Sequence, residues 1–163
     1  MSSTVKPLDL IKTARRLVGR KGRRRPPQSD LKRAISSAYY ALFHTMCANC
    51  ADLLIGTGSA NRSRKAWLQA YRAVDHGYAK SQCKNSEVIS KFPKEIEDFA
   101  NQFIELQIER HKADYDPSSR YTLTEVHASI DAAEQAIKMF KRAPLKDRRA
   151  FAAWTALRVR DRS

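Results

Sequence analysis

Between residues 108 and 116 the chain reads Ile-Glu-Arg-His-Lys-Ala-Asp-Tyr-Asp, followed by Pro117. These side chains bring together a cation, acids and a group that titrates near neutrality, and one chemistry such a set could run is cleavage of an RNA phosphodiester without a metal. That reaction needs a base for the 2′-hydroxyl proton, a cation for the charge on the phosphorus oxygens, and an acid for the leaving 5′-oxygen. Arg110 fits the cation's role, because its planar fork matches phosphate oxygens and stays charged. Asp114, one helical turn on, can orient that guanidinium. His111 has an ordinary pKa near neutrality, suited to proton transfer, and Tyr115 can donate or position. His44 is a further candidate that can reach the same place from a neighbouring helix.

At about 100° per residue, Arg110 lies about 20° from both Phe99 and Phe103 and about 40° from Leu106, so an apolar stripe continues into a charge. Asp114 lies about 40° further round. A buried charge is costly unless paired. An Arg–Asp pair in this position is therefore a site, a structural clasp or, if the helix end frays, a surface salt bridge of little worth. His111 sits about 100° away from Arg110, towards the surface.

Other chemistry has less support. Cys47 and Cys50 share a helix face, but a zinc site needs two more ligands, and Cys83 and His76 come at irregular spacing. Small buried cysteines are the simpler reading. "GTGSANRSRK" lacks the spacing of a phosphate loop. His76 and His127 read as surface or structural, and Tyr39 and Tyr40 as packing with a buried hydroxyl. No cofactor is expected.

The formal net charge of +14 is unevenly placed. Residues 1–33 carry +9, residues 141–163 carry +6, and the body between them carries −1. Two basic ends on a near-neutral body suit a polyanion, since clustered phosphate contacts release counterions together. Lys21, Arg23, Arg24 and Arg25, ahead of a Pro pair, form a basic loop, and Arg148 and Arg149 open a basic last helix. Both are candidate nucleic-acid contacts. An acidic protein partner or a merely solubilising surface would account for the same charge, and the last helix also reads as a membrane-surface helix with a short apolar side. Three cysteines and no leader-like or membrane-length apolar run point to the cytoplasm.

The elements that must position these residues are all helical. Glycine and proline are sparse, β-branched runs are absent, and good helix formers abound. Six helices are expected. The first opens at Pro7. The second starts after Ser29 or Asp30, runs to Gly56 and is apolar over most of its girth, so it belongs at the centre of a bundle. The third starts at Asn61 or Ser63 and extends to Lys80, with "SQCKNSE" as a loop after it. The fourth follows Pro93, the fifth has a Thr122–Glu125 capping box, and the last carries Phe151, Trp154 and Leu157 on one side. The fold expected is an irregular four- to six-helix bundle over 1–142, with a basic helix or tail over 143–163.

Two stretches resemble one family. "ISSAYYALFHTMCANCADLLIG" resembles the long second helix of HEPN domains of the small prokaryotic kind, and "ERHKADYDP" resembles that family's Arg-x-x-x-Asp-Tyr element on a later helix. The resemblance spans residues 5–142 and leaves out the basic last helix. It implies a homodimer whose polar elements face a shared cleft. It also implies RNA binding, metal-independent endoribonuclease activity of the toxin–antitoxin or phage-defence kind, and a nucleotidyltransferase-type antitoxin as partner. A non-catalytic nucleotide- or nucleic-acid-binding module is the other role within the family. The nuclease branch places a histidine beyond its arginine with four to six residues between them. Here those positions are Tyr115, Asp116 and Pro117, while Arg72-Ala-Val-Asp-His76 on another helix is one residue short of the pattern.

Overall fold

The structure, a computed structural model, describes residues 5–19 and 25–160. Lys21, Arg23 and Arg24 of the basic loop lie outside the described residues. The described chain is all-α, with helices α1 (Pro7–Val18), α2 (Gln28–Ile55), α3 (Arg64–Arg72), α4 (His76–Cys83), α5 (Ser86–Ile89), α6 (Lys94–Tyr115), α7 (Leu123–Arg142) and α8 (Leu145–Ala156).

α2 is the axle. It touches α1, α3, α6, α7 and α8, and Ile35, Ala38, Tyr39, Leu42 and Met46 are sealed inside. That burial explains why apolar residues occupy most of its circumference rather than one stripe. Gly56 stops the helix at φ 122°, a backbone conformation that glycine adopts without a Cβ penalty. α6 and α7 each bury a regular stripe against it: Ile96, Phe99, Phe103 and Leu106 on one, Val126, Ile130, Ala133, Ile137 and Phe140 on the other. The Thr122–Glu125 capping box opens α7 as the sequence indicates. Arg15 of α1 pairs with Asp131 and Glu134 of α7 across the outside of the bundle.

α8 shares this core. Phe151 is fully buried and packs edge-on to Phe92 and Phe99, with Phe140 beside it at 5.6 Å between ring centres. Its helix ends at Ala156, so Arg158 and Arg160 lie on extended chain beyond it.

The expected single third helix is a correction. It is two helices, broken at residues 73–75, because the Asp75 carboxylate accepts a hydrogen bond from the Tyr78 backbone N–H and caps a new start. The stretch read as loop after it holds the end of α4 and the single turn α5, capped by Asn85. The break lets α4 pack against α6 and α8 and leaves half-buried His76, its first residue, against Tyr39 and Phe43 of α2.

Candidate functional site

α6 carries its buried stripe to Arg110, whose side chain is only 15% exposed. The guanidinium carbon stands 5.0 Å from the centre of the Tyr39 ring and 5.6 Å from that of Tyr40, both on α2. Such cation–π contacts favour a charge held away from water. Nη1 donates to Asp114 Oδ2 at 3.3 Å, and Asp114 Oδ1 accepts from Ser36 Oγ of α2 at 2.5 Å. The carboxylate is thus anchored to a second helix while it orients the guanidinium. Among the described residues, neither the buried Arg110 Nε nor the buried Oε1 of Gln107, one turn earlier, has a hydrogen-bond partner. An unpaired buried polar atom costs about 1–3 kcal/mol, and groups left in that state collect at sites with work to do.

α4 adds the third wall. His76 Nδ1 lies 2.5 Å from the Tyr39 hydroxyl, and its ring stacks on Phe43 with centres 3.6 Å apart. Burial lowers the His76 pKa, Arg110 lowers it further, and Asp75 pulls the other way. The net result is a neutral imidazole at pH 7. Burial pushes the Tyr39 phenol up, with Arg110 opposing, so the phenol keeps its proton. His44 Nδ1 is hydrogen-bonded with the Tyr71 hydroxyl of α3, and burial lowers its pKa too. Tyr40 joins the two histidines, with ring centres 6.3 Å from His44 and 6.1 Å from His76.

The structure therefore brings Arg110 and Asp114 together and sets His44 one ring away. His111 and Tyr115 stay outside. Both are exposed, Tyr115 by 67%, and their rings pack on each other 5.0 Å apart. Their angular positions on α6 account for this, since each is turned well away from the stripe that ends at Arg110.

Sequence reasoning leaves out three members of the cluster: His76, Tyr71 and Ser36. The aspartate immediately before His76 is the available signal, because an N-cap there ends one helix and starts another. Among the other candidates, Arg25 is exposed and lines a cavity of about 690 Å³ with Arg120 and Tyr121. Arg148 is half-buried, its Nε donating to the Ala143 carbonyl, and Arg149 stands on an apolar groove between α2 and α8.

Among the described residues no three His, Cys, Asp or Glu side chains are grouped to hold a metal ion. Cys47, Cys50 and Cys83 are buried free thiols, and burial pushes Cys47 and Cys83 up to about 12. No described helix is long and apolar enough to cross a membrane. No known protein family, characterised protein or solved structure matches the chain.

Proposed function

We propose that this chain is a HEPN-like RNA-binding protein of toxin–antitoxin or phage-defence type, in which Arg110 is the phosphate-holding cation of a metal-independent endoribonuclease centre. One observation carries the reading: a guanidinium turned inward at the meeting of three helices, beside a neutral histidine, two tyrosines and an aspartate fixed from α2. A preorganised cation in a partly dry site stabilises developing charge far better than one in water. Hydrogen bonds hold His76 against Tyr39 and His44 against Tyr71. In the tautomer with the proton on Nδ1, that N–H donates to the Tyr39 oxygen, Nε2 takes the 2′-hydroxyl proton, and the imidazolium so formed returns a proton to the leaving 5′-oxygen. The basic ends supply the phosphate contacts that draw RNA to the molecule.

A non-catalytic module that binds nucleic acid beside a partner protein is the second reading. It is favoured by the packing of Arg110, which the two tyrosine rings and Asp114 already occupy. The cavities beside Tyr121 and between α2 and α8 are lined by none of the cluster's side chains.

Incubation of mixed RNA with the protein in EDTA separates the two. Fragments ending in cyclic phosphate are expected, with a rate at least about 100-fold lower for Arg110→Ala, the loss typical of removing one charge-stabilising donor. Binding that falls steeply with salt but yields no fragments supports the module. No RNA binding at micromolar protein rules out both.

A further inference from the structure

The last turn of α2 and the outer side of α8 enclose an open groove of about 230 Å³, floored by Cys50, Leu53, Leu54, Ala152, Ala153 and Leu157. Leu54 is 61% exposed and Leu157 54%. Val159, two residues on, is 88% exposed. Large apolar side chains left this open and this close together mark a surface that meets something. Arg149 lines the groove, and two further cations, Arg158 and Arg160, are exposed on the non-helical chain that follows Leu157, Arg158 with its guanidinium carbon 4.8 Å from the centre of the Tyr78 ring.

Three occupants can be weighed on charge and polarity. A second copy of this chain would press one arginine rim against another, and like charges meeting in this way oppose docking. RNA would match the arginines but bring no aliphatic side chains to cover Leu54 and Leu157. An acidic amphipathic helix matches both features, with its apolar stripe on the leucines and its carboxylates on the rim. We infer that the α2–α8 groove docks an acidic amphipathic helix of a partner protein, with Leu54 and Leu157 as apolar anchors and Arg149, Arg158 and Arg160 as charge partners. This assignment holds whether or not the Arg110 cluster cleaves RNA.

The probe is a fluorescein-labelled synthetic peptide of about 16 residues, roughly four turns, with leucine every third or fourth position and glutamate elsewhere. Fluorescence anisotropy with the full chain should give binding in the micromolar range. A scrambled peptide of the same composition, and the Leu157→Asp and Arg149→Glu variants, should each bind at least about tenfold more weakly, a loss of about 1.4 kcal/mol. Leu157 lies beyond the helix, and circular dichroism checks that the variants keep their fold. If Leu157→Asp unfolds the chain, Leu54→Asp takes its place. Equal binding of the scrambled peptide, or no change in the leucine variant, overturns the inference, because charge alone would then explain the affinity. A wild-type dimer that Leu157→Asp turns into a monomer also overturns it, since a second copy then covers the groove. So does single-stranded RNA that displaces the peptide and itself loses affinity in Leu157→Asp.

Discussion

α6 carries an aromatic cluster at each end, and the two are built on opposite principles. Near its start, Phe99 packs with Phe140, Phe151 and, through Phe151, Phe92; no member has a polar atom in its side chain. Near its end, Phe103 lies against Tyr39 and Phe43, and these rings support His76 and Arg110. The first cluster gains free energy from burial alone. The second spends part of that gain holding a charge, two unpaired buried polar atoms and a hydrogen-bonded imidazole in one place. A bundle of this size needs the first to stand, whereas the second holds groups whose burial an all-apolar cluster would not have to offset.

The contrast can be broken at its dry end first. Phe151→Ala should cost about 3–5 kcal/mol, the usual range for removing a buried phenylalanine. Chemical denaturation would read this as a large fall in midpoint. A loss under about 1 kcal/mol would mean that α8 is not integral to the core.

At the polar end a smaller effect is expected. Tyr39→Phe keeps the ring between Phe43, Phe103 and Arg110 but removes the hydroxyl beside His76. The loss should be about 1 kcal/mol, the net worth of one hydrogen bond. RNA cleavage should fall more than stability does. Equal falls would make the tyrosine a packing residue only.

Acid should distinguish the two ends by the smallest effect. His44 and His76 both have folded-state pKa values lowered from 6.5 by burial, with Arg110 adding to the shift at His76. The unfolded chain therefore takes up protons below about pH 6.5 while the folded one resists. Stability is full above that pH and declines as pH falls from 6.5 towards the lowered folded values. Thermal unfolding should show a lower midpoint at pH 5 than at pH 7. His76→Gln should flatten part of that slope, and an unchanged slope would place the titration elsewhere.

Much of the scaffold is legible in residue order. The α6 and α7 stripes recur at three- and four-residue steps, and the capping box at Thr122 and Glu125 is a local device that needs no partner. α2 could be placed at the centre because its apolar residues cover most of its girth. The α3–α4 break is harder to read, since Trp67, Tyr71, Val74 and Tyr78 keep a helical rhythm across it. There a single side-chain cap from Asp75 outweighs the periodicity. The angle of Arg110 to Phe99 and Phe103 put an inward turn among the possibilities, and its pairing with Asp114 follows from a one-turn spacing; the packing against α2 selects the inward turn.

By itself, then, the sequence determined the all-α class, most of the helices, the central position of α2 and the division of charge between body and ends. All of these depend on period, capping or composition, which act over a few residues. Only the tertiary structure decided that His76 meets Tyr39, that Ser36 holds Asp114, that His111 and Tyr115 stay in solvent, and that Leu54 and Leu157 share one groove. Those pairings join residues tens of positions apart, and they depend on how helices cross, which no local pattern specifies.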